Sequence, residues 1–311
     1  MQLIECIHRF LYKLSLLELI DAETLIEIQH SESWFTGKDG LQLYRQQWLP
    51  YGRVKAVMLV VHGLFEHSGR YLRFADYFVP QGFAVCAYDH RGHGRSHGLP
   101  GYVNRFQDFI DDLDIFHRQL KQQYPDLPVF LFAHSIGGTI ALAYASKHST
   151  DFSGLLLSAA VTRPGSSVTR ASIIMARILS ALVPRLGVAP IDDSTLSRDN
   201  TVVAAYNSDP LVYHGKIRAR LGAELINIME RVLPEKIKQV TLPVIIMHGS
   251  EDRLSNIQGS SLVYNTVGST DKILKIYNGF YHEILNEPER AQVLHDIDVW
   301  LTAHLPVVAQ P

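Results

Sequence analysis

From residue 41 onward, short apolar runs alternate with longer stretches in which apolar positions recur every three or four residues. Residues 57–61 (VMLVV), 83–88 (FAVCAY), 129–133 (VFLFA), 155–158 and 244–247 (VIIM) are too continuously apolar for one-sided strands, and read as strands buried on both faces. Residues 41–48 alternate like a half-buried strand, and 273–277 close the series. Between them, 106–124, 138–147 and 289–304 have helix length and helical apolar spacing. The recurring β, α order predicts an α/β fold, a mostly parallel central sheet flanked by helices.

One stretch breaks the rhythm. Residues 162–239 hold no β-run, several prolines and glycines, and apolar patches at helical spacing such as 173–183. Lying between two predicted strands, this is expected to be a helical insertion over the carboxyl ends of the sheet, a mobile lid on a pocket. The expected organisation is therefore an N-terminal extension (1–30), an α/β core in two pieces (31–161 and 240–311) and a helical cap (162–239) inserted before the late strands. Ile173, Ile174, Ile178, Leu179 and Leu182 are candidates for the cap's apolar lining, although such a stripe serves equally for packing.

At the start of the chain, Leu3, Ile4, Ile7, Phe10, Leu11, Leu14 and Leu17 recur at helical spacing. Glu5, Arg9, Lys13 and Glu18 interrupt the run, no basic segment precedes it and no A-x-A site follows. It reads as an amphipathic helix rather than a signal peptide or a membrane span. Docking on the protein's own core or on a second subunit is the ordinary use of such a face. Peripheral membrane contact through residues 1–20 is the sharper one, weakened by a polar face with only Arg9 and Lys13 as fixed positive charges. The tail from 306 to 311 is expected to be disordered.

Composition narrows the partners. With 311 residues, 47% hydrophobic and 19% charged, the chain can bury a sizeable core. The 29 Lys and Arg against 31 Asp and Glu give a net charge of −2, which provides no basic footprint for nucleic acid. A mean hydropathy of +0.03 is far from that of a multi-span membrane protein. Cys6 and Cys86 form no CxxC, so neither a disulfide framework nor a zinc ribbon is indicated, and a reducing, cytoplasmic setting is expected.

The central chemical signal is Ala133-His134-Ser135-Ile136-Gly137-Gly138, between the run VFLFA and the helical GTIALAYA. This is the context of a nucleophile elbow, a tight strand-to-helix turn that exposes a serine Oγ; the usual first glycine is Ala133 here. A serine nucleophile needs a base, and the base an orienting carboxylate. In this arrangement acid and then histidine follow downstream, each after a strand. Asp252 and Glu251 stand in HGSEDRL after VIIM, and His282 stands in NGFYHEIL after KILKIY. With 15 histidines in the chain, any one of them is ordinarily a surface or core residue; the position of His282 after the last strand singles it out. An oxyanion hole needs two backbone N–H groups. Ile136 supplies one, and Leu64, with Phe65 next to it, supplies the other after the turn at Gly63. His62 has no carboxylate or cysteine at ligand spacing and is expected to hold that loop through backbone hydrogen bonds.

Several runs together resemble the monoacylglycerol lipase and lysophospholipase group of the α/β-hydrolase superfamily: HGLFEHSGRY (62–71), DHRGHGRSHG (89–98), HSIGG (134–138), YNSDPL (206–211), HGSEDRL (248–254) and LKIYNGFYHEILNE (274–287). The similarity extends from about residue 32 to 304. It implies an α/β-hydrolase fold, with Ser135, Asp252 and His282 as nucleophile, acid and base. It further implies that the Leu64 and Ile136 amides are the oxyanion donors, and that 162–239 forms a cap with an apolar acyl channel. The expected reaction releases a fatty acid from a small lipid ester of the monoacylglycerol type through an acyl-enzyme, with no metal and no organic cofactor. A lysophospholipase or a broader carboxylesterase uses the same chemistry. A peptidase of this fold is a weaker alternative, and a non-catalytic binding protein is expected to lack one of the three residues. Ala133 and the N-terminal extension depart from the family pattern; neither removes a catalytic group.

Overall fold

The computed structural model describes residues 28–165 and 168–306. The expected N-terminal helix and all but the first residue of the expected tail lie outside them. An eight-stranded sheet is formed by β1 (Ile28–Thr36), β2 (Gln42–Pro50), β3 (Ala56–Val61), β4 (Phe83–Tyr88), β5 (Val129–His134), β6 (Gly154–Ser158), β9 (Val244–Gly249) and β10 (Lys272–Tyr277), in the order β1-β2-β4-β3-β5-β6-β9-β10. The β1–β2 and β2–β4 pairs are antiparallel and the remaining pairs are parallel. Every residue of β3, β4, β5, β6 and β9 is buried, which is why these strands show no alternation in the sequence.

Two helix layers cover the sheet. On one face lie α2 (Gln107–Gln123) and α3 (Ile136–His148), with Phe109, Leu113, Phe116 and Leu120 of α2 meeting Leu59 and Leu131 of the strands. The central α3 is buried on nearly every side. On the other face, α1 (Leu72–Phe78) and α9 (Arg290–His304) set Phe74, Phe78, Ile297 and Trp300 against Met58, Val60, Phe130 and Phe132. α8 (Ile257–Thr266) packs beside β9 and β10.

The stretch between β6 and β9 contains α4 (Arg170–Leu182), α5 (Asn200–Ser208), α6 (Ala219–Asn227), a π-helical turn (Ile228–Val232) and α7 (Leu233–Ile237). It also contains a two-stranded ribbon of β7 (Gly187–Ala189) and β8 (Ile217–Arg218), which corrects the expectation of no strand there. Strands of two and three residues carry too little periodicity to be seen in a sequence. α4 rests on α6, whose Leu221 and Leu225 reach the core. α7 packs against α3, and its Leu233 and Ile237 are core residues, so the end of this stretch is the connection that carries the chain back across the sheet. A second difference is β1: eight of its nine residues are exposed or half-buried and only Phe35 is buried, so an edge strand lacking an apolar face begins where the sequence suggested the end of a helical extension. Among the described residues, no helix is long and apolar enough to cross a membrane.

Candidate active site

Ser135 occupies the turn between β5 and α3 with φ 55° and ψ −123°, a left-handed conformation that costs a non-glycine residue about 1–3 kcal/mol. Three backbone hydrogen bonds hold it: Ser135 N–H donates to Ser158 O (3.0 Å), and Val161 and Gly138 N–H donate to Ser135 O (3.0 Å each). The tightness of the turn explains the glycine two residues on, since a Cβ at Gly137 would lie 2.2 Å from Val61 O and 2.6 Å from His62 O. Ala133, in contrast, carries a fully buried methyl that packs into the core on the α2 and α3 side of the sheet.

His282 reaches the same point from the loop after β10. Gly249, at the end of β9, allows that loop to close in; a Cβ there would stand 2.3 Å from both Phe280 O and Tyr281 O. His282 Nε2 is 3.0 Å from Ser135 Oγ, and its Nδ1 is 2.7 Å from Asp252 Oδ2. The Asp252 side chain is fully buried, whereas the competing Glu251 faces solvent. Its Oδ1 accepts from Leu254 N–H (2.8 Å) and Ser255 N–H (2.9 Å), and its Oδ2 from Ser255 Oγ (2.6 Å). Burial alone would raise the Asp252 pKa, but the His282 charge and hydrogen bonds from His248 and His282 hold it well below the carboxylate range. Burial would lower the pKa of His282; the adjacent Asp252 charge outweighs it and raises the imidazole above its ordinary value. The neighbouring His134, 4.8 Å away ring to ring, is pushed down to about 3 by burial and by His282, so the two rings are not both charged.

The loop after β3 brings Leu64 to the same cavity as Ile136, and neither backbone amide has a hydrogen-bond partner among the described residues. Gly63 passes so near Ser135 that a Cβ would lie 3.0 Å from the Ser135 Cβ. Three hydrogen bonds fix the loop. Gly63 N–H donates to Glu66 Oε1 (2.6 Å), and His62 Nδ1 donates to Gly63 O (2.7 Å) while its Nε2 accepts from His90 N–H (2.9 Å). His62 therefore has the backbone-holding geometry expected of it.

Sequence reasoning did not find the ionic support around this site. Arg70 pairs with Glu283 through two contacts (2.5 and 2.7 Å) and with Glu66 (3.1 Å), and Tyr71 donates to Glu66 (2.9 Å). The signal lay within the EHSGRY and HE runs, but nothing in the sequence paired one with the other. The cavity above Ser135 measures about 270 Å³ and is walled mainly by Leu64, Ile136, Val161, Pro190, Ile191, Leu196, Ile217, Leu225 and Leu254, with Glu66, Asp192, Tyr206, Arg253 and Glu283 adding polar and charged groups. The five α4 candidates are not among its walls. Ile174, Ile178 and Leu182 point outward and are exposed, because the inner side of α4 is taken up by α6. A hydroxyl and two free amides facing one cavity, with an imidazole beside them that a buried carboxylate backs, can accept and return a proton while charge develops on a bound carbonyl oxygen.

Residues 52–289 match the family model described as serine aminopeptidase, S33. The chain is 35% identical to a monoacylglycerol lipase of Mycolicibacterium smegmatis over 281 residues, 90% of this chain and 100% of that protein. It is 38% identical to the human monoglyceride lipase over 267 residues, 85% of this chain and 88% of that protein. The crystal structure of the Paleococcus ferrophilus monoacylglycerol lipase superimposes with a TM-score of 0.76 at 29% identity, covering 84% of this chain and 99% of that one. The protein thus belongs to the serine aminopeptidase S33 family of α/β-hydrolases, in the group that holds the monoacylglycerol lipases.

Proposed function

We propose that the protein is a serine carboxylester hydrolase that releases a fatty acid from monoacylglycerol-type lipids. The observation that carries this reading is the unbroken line from Ser135 Oγ through His282 to Asp252 beneath an apolar cavity. The activities named for relatives that align over nearly their whole length support the substrate class. Ser135 Oγ attacks the ester carbonyl while His282 Nε2 takes its proton, and the Leu64 and Ile136 amides donate to the oxyanion. Collapse of the tetrahedral intermediate breaks the bond to the alcohol oxygen, which leaves with the proton held by His282. Water then gives its proton to His282 and attacks the acyl-Ser135 ester, and the fatty acid departs as the serine recovers its hydrogen. Asp252 stays ionised and stabilises the imidazolium in both halves.

Residues 162–227 act as the cap in this reading, since Pro190, Ile191, Leu196, Ile217 and Leu225 wall the cavity over the serine. The remainder of the stretch, through residue 239, belongs with the core that it rejoins. The test is fatty-acid release from monoacylglycerol, lysophosphatidylcholine, diacylglycerol and a short aryl ester, in parallel with Ser135→Ala. Preference for monoacylglycerol that disappears in the variant is the expected result. Activity surviving in Ser135→Ala overturns the assignment of the nucleophile, and a Ser135-dependent preference for the lysolipid moves the substrate class.

A further inference from the structure

Behind the proposed acid stands a second imidazole that the mechanism leaves unused. His248, at the end of β9, has no exposed surface, and its Nε2 lies 3.0 Å from Asp252 Oδ2, the oxygen that also faces His282. Its Nδ1 is 2.7 Å from Ser260 Oγ on α8, and its Nε2 is also 3.1 Å from Ser255 Oγ. An ionised carboxylate can only accept hydrogen bonds, so the proton of a neutral His248 sits on Nε2, and Nδ1 accepts from the Ser260 hydroxyl. The donors then converge on Asp252 from both ends, Ser260 to His248 to Asp252 on one side and Ser135 to His282 to Asp252 on the other, and every bond has one donor.

We propose that His248 is a positioning residue for the hydrolysis: its Nε2–H fixes the Asp252 carboxylate and draws charge from the oxygen that faces His282, setting the basicity of the proposed general base. This inference rests on the Ser135, Asp252 and His282 assignment above. The titratable groups facing His248 are Asp252, from the loop that follows its own strand, and beyond it His282, from the loop after β10; α8 and the turn before it contribute the uncharged Ser260 and Ser255. Each donor on Asp252 spreads its charge, so removing one concentrates charge toward His282 and favours the imidazolium.

The experiment is the pH dependence of kcat/KM for ester hydrolysis by the wild type, His248→Leu, His248→Gln and Ser260→Ala. His248→Leu removes the donor, and the acid limb is expected to move to higher pH by about half a unit or more. His248→Gln places an amide N–H near the position of Nε2 and is expected to restore the limb toward the wild-type value. Ser260→Ala frees Nδ1 to take the proton and is expected to shift the limb in the same direction by less; it keeps the test open if His248→Leu does not fold. An acid limb that stays in place or moves downward in the folded variants overturns the proposal, whatever happens to the rate. Ser135→Ala in the same assay separates the two failures, because activity without Ser135 removes the triad itself, whereas Ser135-dependent activity with an unmoved limb removes only the role of His248.

Discussion

The guanidinium of Arg70 grips the carboxylate of Glu283, the residue next to His282, at 2.5 and 2.7 Å, and reaches Glu66 at 3.1 Å with the same nitrogen that makes the shorter bond. Glu66 in turn accepts from Gly63 N–H, so one buried cation ties the loop carrying the Leu64 amide to the loop carrying His282. Against burial, which would raise it, this cation holds the Glu283 pKa down to about 2.

Arg70→Ala leaves two buried carboxylates facing each other without a counter-charge. A loss of about 3–5 kcal/mol of stability is expected, with a fall in kcat/KM as the two loops lose register. Arg70→Lys keeps the charge without the paired contact and should recover only part of both. Urea denaturation together with ester hydrolysis by the two variants gives the measurement.

Ser135→Ala removes the proposed nucleophile and little else. Turnover should fall by about four orders of magnitude or more, while the thermal midpoint stays near that of the wild type because the strained backbone and its three hydrogen bonds remain. A large drop in the midpoint would point to a structural role for the hydroxyl.

The proposed base works only when neutral, and the Asp252 charge raises the His282 pKa above its ordinary 6.5. Protonation of the free enzyme therefore sets in at a higher pH than for an isolated imidazole. The acid limb of kcat/KM is expected above pH 6.5, with activity lost as the pH falls through it. A limb centred below 6.5 would contradict this electrostatic account.

His90 and His93 lie buried beneath the loop after β3, where desolvation pushes their pKa values down to about 3 and about 4 from 6.5. The folded protein keeps both neutral while the unfolded chain protonates them, so stability is greatest above pH 6.5 and declines as the pH falls toward 4. At pH 5 the two together are expected to cost about 4 kcal/mol relative to neutral pH. Denaturant titrations at pH 7 and pH 5 test this, and replacing either histidine with an uncharged residue of similar shape should flatten the dependence.

Gly137→Ala forces a methyl against two carbonyl oxygens of the backbone at 2.2 and 2.6 Å, neither of which can rotate away. A destabilisation of about 3 kcal/mol and displacement of Ser135 are expected, to be read from unfolding and from loss of activity in the folded fraction.

Much of this arrangement was legible in the sequence because it is local. VFLFA followed by HSIGG reads as strand, turn and helix, and the turn needs small residues for a steric reason that the Gly137 contacts express. Asp252 and His282 each follow a recognisable apolar strand, so their convergence is a matter of strand order. What escaped depended on partners far apart in the chain. Arg70 meets Glu283 across 213 positions, and His248 was a strand-end residue like any other until α8 brought Ser260 to its far side. The edge strand β1 escaped for the opposite reason: its pairing with β2 rests on the backbone ladder and on cross-strand pairs such as Ser33 with Arg45 and His30 with Trp48, and its mostly exposed side chains show no apolar alternation.

β6 and β9 are hydrogen-bonded neighbours from Leu155↔Val244 to Ser158↔Met247, although the proposed cap lies between them in the chain. A parallel pair needs a crossover in any case, and here the last part of that crossover, α7 against α3, makes the return, while Pro190, Ile191, Leu196, Ile217 and Leu225 before it wall the cavity as its proposed roof. The roof is thus an excursion on an obligatory bridge: its length and wall chemistry can drift without altering strand register, and choice of acyl group can change while the proton-handling apparatus beneath is inherited whole.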